Sequence, residues 1–229
     1  MLSIVCAVKN RAKSLRVALS SWLVADGVDE IVIVDWDSTE SLVSLAQLDP
    51  RIRIVRVNDR PNFHLAAAFN LAADVATGDT LLKLDADYVL NPFYPAVLGV
   101  LPPPGAFATG HFQHGGPFFA FLNGLLCVQR ADWQRTFGYN ENITDYGWDD
   151  DDFYNRLIAA ELKRLIVRPQ PISIFHIPHE NDVRVKHYDT KNIEESHRRN
   201  RDVAPPTARQ SRWHLTALSA QVLLAQAES

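Results

Sequence analysis

Residues 80–87 read Thr-Leu-Leu-Lys-Leu-Asp-Ala-Asp, an apolar run that ends in two closely spaced carboxylates. The apolar part predicts a buried strand over residues 80–84, because a strand covered on both faces is apolar along most of its length. Asp85 and Asp87 then lie where that strand ends. Two carboxylates on an extended turn suit a hard divalent cation such as Mg²⁺ or Mn²⁺. A solvated turn is the alternative interpretation, since Asp is common in turns.

The chain before this strand alternates strands and helices. The hydrophobic pattern predicts strands at residues 2–8, 30–34 and 52–57, and helices at residues 12–25, 38–48 and 65–76. This alternation predicts an α/β fold with a mostly parallel central sheet flanked by helices. In such sheets ligands bind at the carboxyl ends of the strands. Asp35 and Asp37 follow the second strand, so we expect them to lie near Asp85 and Asp87.

The second half of the chain is organised differently. Residues 102–105, Pro-Pro-Pro-Gly, separate a first half at 1–101 from a second half at 106–206, within what we expect to be one domain. Strands are predicted at 107–112, 121–128, 164–167 and 172–176, and helices at 131–137, 149–162 and 207–229. The glycine-containing residues 110–117 and the polar residues 181–206 are predicted to be loops, the latter becoming ordered on binding.

A second acidic cluster, Asp149 to Asp152, opens the helix predicted at 149–162. The helix dipole favours a carboxylate there by roughly 0.3–1 kcal/mol. Capping needs only one or two acids, and four adjacent like charges repel one another. An acid facing a cleft suits general-base chemistry on an acceptor hydroxyl. Helix capping alone is the alternative interpretation.

His176 and His179 form a His-x-x-His pair after a predicted strand. A histidine at the end of a strand can complete a divalent site begun by distant carboxylates. An ordinary surface or core histidine is the alternative. A structural zinc site is disfavoured because it needs four ligands and neither cysteine lies near this pair.

Composition gives broad limits on the class of protein. The 229 residues are 47% hydrophobic and 22% charged, as in ordinary globular proteins, and a net charge of −4 gives no support for nucleic-acid binding. Cys6 and Cys127 lie in apolar runs and suggest buried thiols in a reducing compartment, with a disulfide as the less favoured reading. The sequence shows neither a signal peptide nor an apolar stretch of about 20 residues. We therefore expect a cytoplasmic protein, with peripheral membrane association left open.

Six segments resemble known glycosyltransferases. Residues 3–11, 33–38 and 78–87 resemble the donor half of family 2 glycosyltransferases, and residues 121–126, 138–141 and 147–157 are similar to the C-terminal segment of β-1,4-galactosyltransferases and polypeptide N-acetylgalactosaminyltransferases. The resemblance covers roughly residues 2–180. It implies an A-type glycosyltransferase fold, with residues 1–101 forming the half that binds the nucleotide-sugar donor.

The resemblance also implies roles for individual residues. Asp87 is the implied direct metal ligand, with His179 and then His176 from the second half. Asp85 belongs to the same implied metal site and contacts the donor ribose or sugar. Asp150 is the implied catalytic base, and Asp149 binds the transferred or acceptor sugar. The residues implied to surround the donor are Ala7, Val8, Asn10, Arg11, Asp35, Asp37, Asp85, Asn123, Gly124 and Trp148.

This sequence departs from the family pattern at two places. Trp36 stands where a second acid usually contacts the uracil ring, so whether Asp35 or Asp37 meets the base stays open, and so does uridine itself. Gly147-Trp148 replaces a pair of glycines. Trp148 could stack on a sugar face or anchor the loop as a buried side chain.

The expected activity is metal-dependent transfer of a hexose or N-acetylhexosamine from a nucleotide-diphosphate sugar, first of all a UDP-sugar, to a carbohydrate or glycoconjugate acceptor. Inversion with Asp150 as base is the favoured mechanism, and retention is the nearest alternative. A sugar-phosphate nucleotidyltransferase would normally show a glycine-rich loop, which residues 7–11 lack. A non-catalytic carbohydrate-binding module would be expected to lose Asp87, Asp150 or His179. The acceptor, the donor sugar and the oligomeric state stay open.

Overall fold

A computed structural model describes residues 1–91, 101–110, 122–167, 174–179, 182–208 and 221–223. The strands are β1 (Leu2–Val8), β2 (Glu30–Trp36), β3 (Ile52–Val57), β4 (Thr80–Lys83), β5 (Tyr88–Leu90), β6 (Ala106–Thr109), β7 (Leu126–Gln129), β8 (Lys163–Ile166), β9 (Ile174–His176) and β10 (Gln221–Leu223). The α-helices are α1 (Ala12–Leu23), α2 (Leu65–Val75), α3 (Arg130–Arg135), α4 (Asp149–Ala159), α5 (Asp182–Val185) and α6 (Ile193–Arg201).

Eight strands form one sheet in the order β10-β3-β2-β1-β4-β7-β6-β8, and β5 pairs with β9 in a separate two-stranded sheet. The first four strands run parallel, as does the β6–β8 pair. Strands β7 and β10 run antiparallel to their neighbours. The alternating first half and the mostly parallel sheet are confirmed.

The central strands β1 and β2 are buried along their whole length and mostly apolar, because helices cover both faces of the sheet. Alternate residues of β1 enter two hydrophobic clusters. Ile4 packs in the cluster that contains Trp22 of α1, and Val5 packs in the cluster that contains Phe69 of α2. The sheet therefore holds the carboxyl ends of β1, β2 and β4 in a fixed relation.

The helix predicted at residues 38–48 is wrong. The structure has only a 3₁₀ turn at Val43–Gln47 there. The backbone amides of Ser38 and Leu42 donate to the carboxylate of Asp35, and the Ser38 hydroxyl accepts from the amide of Asn10. Because the segment wraps around a buried carboxylate, its first amides cannot begin a helix.

Several predicted boundaries in the second half differ from the structure. Strand β6 ends at Thr109, and β7 begins at Leu126 after a 3₁₀ turn at Leu122–Gly124. The glycine loop and the first part of the strand predicted at 172–176 fall on residues 111–121 and 168–173, which lie outside the described residues. Residues 221–223 form strand β10 against β3, so the C-terminal helix predicted at 207–229 is wrong there, and most of its remainder is not described.

The polar segment predicted to be a loop at 181–206 contains two helices, α5 and α6. The side chain of Asn192 caps α6 by accepting from the amide of Glu195. The buried face of α6 is polar, with Ser196 and Asn200 four residues apart. Apolar periodicity could not reveal this helix, because its packing face carries amide and hydroxyl groups.

Helix α6 fixes the loop that leads into α4. The Asn200 side-chain amide donates to the backbone carbonyls of Asp145, Tyr146 and Gly147, and the Ser196 hydroxyl donates to the Tyr146 carbonyl at 2.6 Å. Buried carbonyls must find donors, and this helix supplies them. The C-terminal part of the chain thus positions the start of α4.

Both cysteines are buried and unpaired, as predicted. Among the described residues, none of the helices has the length and apolar character needed to cross a bilayer.

Replacing Asn200 with alanine should lower the free energy of unfolding by about 2 kcal/mol, because buried backbone carbonyls lose their donor. Urea denaturation followed by circular dichroism measures the change. The matched control is Asn142→Ala, at an exposed position, which should change the same quantity by less than about 0.5 kcal/mol. Equal effects of the two variants would contradict the anchoring role of α6.

Candidate active site

One aspartate and two histidines meet at the edge of the small sheet. Strand β5 follows the turn that carries Asp87, and β9 pairs with it so that Tyr88 lies opposite His176. The Nε2 atoms of His176 and His179 lie 3.5 and 3.3 Å from Asp87 Oδ2. One ligand atom from each of these three side chains lies within 4.8 Å of the other two.

This cluster fits a divalent cation. Asp87 Oδ1 is buried and has no hydrogen-bond partner among the described residues. Burial opposes ionisation of Asp87, but hydrogen bonds from His176 and His179 and the nearby Arg11 hold its pKa below the usual range. Asp87 is therefore anionic, which is the form that binds a metal. Imidazole nitrogens and a carboxylate together suit Mn²⁺ and other first-row divalent metals.

A cleft opens beside the cluster, and several predicted site residues line it. The predicted members are Ala7, Arg11, Asp85, Asp87, His176 and His179. The members that sequence reasoning missed are Lys9, Phe63, Leu65, Ala86, Tyr146, Arg184, His187 and Tyr188. Four of these, Tyr146, Arg184, His187 and Tyr188, lie in the polar segment 181–206 or in the loop before α4 that this segment contacts. Because the segment was predicted to be a loop, its contribution to the cleft was not expected.

Positively charged side chains also line this cleft. Arg11 Nη1 lies 4.0 Å from Asp87 Oδ2, and Arg184 Nη1 donates to the Tyr146 hydroxyl at 2.7 Å. Lys9 is buried and donates to the backbone carbonyls of Trp36, Asp37 and Arg60, so it ties strand ends together. The cleft thus offers arginines as well as a cation site to an anionic ligand.

The two aspartates after β2 have different surroundings. Asp35 is fully buried and accepts from Arg56 at 2.5 Å, in addition to the two amides of the following segment. Asp37 has a left-handed φ of 53°, accepts from the amide of Arg60 and keeps 30% of its side chain exposed. Both oxygens of Asp35 already accept hydrogen bonds within the protein. Asp37 is therefore the more exposed of the two acids and the one that a ligand can reach.

Other residues of the predicted donor pocket also differ in how exposed they are and in what they contact. Val8 is buried in the core, whereas Asn10 is exposed and accepts from the amide of Thr39. Gly124 packs so closely that an added Cβ would lie 2.5 Å from Asp85 Oδ2. The carbonyl of Asn123 accepts from the Tyr154 hydroxyl at 2.7 Å. The absence of a side chain at Gly124 therefore allows Asp85, in the first acidic cluster (Asp85 and Asp87), to lie close to this turn.

Lys83 joins the two acidic clusters and was not predicted as a site residue. Its ammonium lies 3.3 Å from Asp85 Oδ1 and 3.2 Å from Asp150 Oδ1, and it donates to the Gly124 carbonyl at 2.7 Å. Burial opposes its charge, but the carboxylates of Asp150, Asp85 and Asp149 raise its pKa above the ordinary value. The signal in the sequence was a lysine inside the apolar run 81–84.

Asp150 is held by a second donor from the loop after α3. The hydroxyl of Tyr139 donates to Asp150 Oδ1 at 2.6 Å. Burial and the adjacent Asp150 raise the Tyr139 pKa, so the phenol stays protonated as a donor. Asn70 of α2 holds the Tyr139 backbone through bonds to its amide and carbonyl. The orientation of Asp150 therefore depends on both halves of the chain.

Asp149 lies in a different environment from Asp150. It is 5% exposed, and its Oδ2 has no hydrogen-bond partner among the described residues. Burial, followed by repulsion from Asp150, raises the pKa of Asp149. Neighbouring carboxylates in unlike environments can take different roles in proton transfer.

Trp148, the residue just before α4, has a strained backbone conformation. Its φ of 70° is rare for a bulky residue, and Gly147 before it has a φ of 85°. A Cβ on Gly147 would collide with the ring of His197. The half-buried indole lies under the guanidinium of Arg201, at 5.6 Å from the ring centroid. Strain of this kind is concentrated at functional sites.

Two family models match the chain. The glycosyl transferase family 2 model matches residues 3–123, which is more than half of the sequence. A model described as the N-terminal domain of galactosyltransferase matches residues 108–180. The second match covers β7, α4 and both histidines of the cluster.

Solved glycosyltransferase structures are similar to this fold. A mannosyltransferase from Pyrobaculum calidifontis in complex with GDP-Man and Mn²⁺ has a TM-score of 0.58 and 21% identity, with 73% of this chain and 54% of that chain covered. A variant of Drosophila β-1,4-galactosyltransferase 7 with manganese, UDP-Gal and xylobiose has a TM-score of 0.60 and 17% identity, covering 90% and 82%. For S. aureus TarS the TM-score is 0.54 with 15% identity, covering 73% and 58%. The chain spans about half of the mannosyltransferase.

Asp87→Asn should weaken Mn²⁺ binding by about 100-fold or more, since the loss of even an outer-shell group typically costs 10–100-fold. The substitution keeps the size of the side chain and removes the charge. Titration with Mn²⁺, followed by electron paramagnetic resonance, gives the affinity. The control is Asp79→Asn, at a side chain that is 80% exposed, and it should bind like the wild type. Unchanged affinity in Asp87→Asn would contradict the site.

Proposed function

The chain belongs to glycosyl transferase family 2 and has the A-type glycosyltransferase fold, and on this premise we propose that it transfers a sugar from a UDP-sugar with inversion. The transferred group is a hexose or N-acetylhexosamine, and the acceptor is a hydroxyl of a carbohydrate or glycoconjugate. The observation that carries the proposal is the cluster of Asp87, His176 and His179 in the cleft, with Asp150 linked to it through Lys83 and Asp85.

The donor side of the cleft is suited to a diphosphate. Asp87 and His179, with His176, would hold Mn²⁺ or Mg²⁺, which when bound supplies positive charge against the leaving diphosphate. Arg11 and Arg184 bring further positive charge to the same cleft. Fixed charges of this kind stabilise a leaving group without reorganisation during the reaction. Mn²⁺ accompanies UDP-Gal in one similar structure and GDP-Man in another, which supports a metal and a nucleotide sugar in general.

The acceptor side supplies the base. Asp150 takes the proton of the acceptor hydroxyl while that oxygen forms a bond to the anomeric carbon. The bond between that carbon and the diphosphate breaks, and the diphosphate leaves with the electron pair. Asp149 binds the transferred or acceptor sugar, since its buried Oδ2 has no partner among the described residues. Direct displacement from the opposite face inverts the anomeric configuration.

The state of the cysteines supports a proposal for the location of the protein. Cys6 and Cys127 are both buried and unpaired, and free thiols are usual in a reducing compartment. We therefore propose that the reaction takes place in the cytoplasm.

The purified protein should hydrolyse or transfer from at least one UDP-sugar when Mn²⁺ is present, and EDTA should abolish this turnover. A screen of UDP-, GDP- and other nucleotide sugars, with released nucleotide measured by chromatography, identifies the donor. Turnover of GDP-sugars alone would overturn the uridine assignment. Absence of metal-dependent turnover or binding with every donor would overturn the proposed activity.

Asp150→Asn should lower kcat for transfer by about 10²–10⁴-fold, because the variant lacks the general base. Calorimetry should show unchanged donor binding, since Asp150 lies on the acceptor side. The matched control is Asp151→Asn, one residue along the same helix, which should transfer at the wild-type rate. An active Asp150→Asn variant would place the base elsewhere.

The anomeric configuration of the product, read by NMR, tests the stereochemistry independently. Inversion is expected. A retained configuration would instead support the retaining mechanism and would remove the general-base role from Asp150.

A further inference from the structure

Lys83 is a charged residue at a position where a strand normally carries an apolar one. It lies on β4 between Leu82 and Leu84, and its side chain is 1% exposed. Lysine is almost never fully buried unless it is paired, because the loss of hydration is costly. A hydrophobic residue of similar volume would fill the space at lower cost. The ammonium therefore calls for an explanation beyond packing.

Three fixed contacts hold this ammonium. Its acceptors are Asp85 Oδ1, Asp150 Oδ1 and the carbonyl of Gly124, at 3.3, 3.2 and 2.7 Å. An ammonium has three donors, so these contacts satisfy it completely. The ring of Phe69 lies 4.5 Å from Nζ and closes another side. The group has one orientation, set by elements from both halves of the chain.

The partners of Lys83 are the two acids that the proposed function places on opposite sides of the reaction. Asp85 belongs to the donor side, and Asp150 is the base, 67 residues from Lys83 in sequence. Asp150 Oδ1 also accepts from Tyr139, so one oxygen of this carboxylate is engaged twice. Neither of these bonds uses Oδ2, which leaves that oxygen for an acceptor hydroxyl.

We propose that Lys83 is a positioning residue for transfer: it fixes the Asp150 carboxylate relative to the Asp85 turn, so that the base is aligned with the donor sugar. The inference rests on the proposed function, since it acts through Asp150. Lys83 itself is not a nucleophile or an acid, because all three of its donors are committed. Tyr139 is a second positioning residue, because its hydroxyl donates to the same oxygen of Asp150.

Lys83→Met should lower kcat for transfer by about 100-fold, the loss expected when a reacting group is misplaced by about 1 Å. Tyr139→Phe removes only one of the two bonds to the Asp150 carboxylate, and a loss of about 10-fold is expected from the loss of one hydrogen bond to a charged group. Lys83→Arg keeps a charge and should recover part of the activity lost in Lys83→Met. The matched control is Lys163→Met on β8, at an exposed position, which should transfer at the wild-type rate.

A double-mutant cycle separates positioning from a merely structural role. In the Asp150→Asn background, Lys83→Met and Tyr139→Phe should cause little further loss of kcat, because the group that they align is already inactive. A structural role would multiply the two losses instead. If Lys83→Met does not fold, the cycle with Tyr139→Phe tests the same claim. Circular dichroism and denaturation establish folding of each variant.

The outcomes distinguish failure of this inference from failure of the proposed function. A wild-type protein that transfers, with Lys83→Met or Tyr139→Phe equally active, overturns the positioning role alone. Losses that multiply with Asp150→Asn overturn it as well. A wild-type protein that turns over no nucleotide sugar with Mn²⁺ overturns the proposed function and this inference together. Coupled losses in a transferring protein support both.

Discussion

The proposed site depends on the contacts of one buried group, the ammonium of Lys83. A cation without solvent requires anions, and here they come from Asp85, two residues along the chain, and Asp150, 67 residues away. The carbonyl of Gly124 completes the set. These ion pairs hold Asp85 of one acidic cluster close to Asp150 of the other, although the two clusters would otherwise repel each other. Without the ammonium, these partly buried carboxylates would lie near each other at an uncompensated electrostatic cost.

The carboxylates of these two clusters lie in different environments, which gives each of them a different chemistry. Asp87 is surrounded by His176, His179 and Arg11 and remains anionic. Asp150 is oriented by Lys83 and a phenol, whereas Asp149 is buried with one oxygen unpartnered among the described residues. These unlike environments are compatible with the three different roles proposed for Asp87, Asp150 and Asp149.

The sequence predicted the first half of the fold well because hydrophobic periodicity reports burial directly. Strands β1 and β3 have the predicted bounds. The resemblance to known families grouped His179 with Asp87, and the two side chains lie 3.3 Å apart. Periodicity failed where polar groups direct folding. Asp35 holds the amides that a helix at 38–48 would need, and α6 packs through Asn200. Lys83 was missed because a lysine within an apolar run does not reveal which distant acids will surround it.

The proposed function requires that a divalent cation at Asp87 and a base at Asp150 act on the same donor sugar. A crystal structure with Mn²⁺ and a non-hydrolysable UDP-sugar analogue tests it most directly, since anomalous scattering locates the manganese. The account predicts manganese bound by Asp87 and His179, with the anomeric carbon of the sugar facing Asp150. Manganese bound elsewhere, or a sugar that faces away from Asp150, would contradict it.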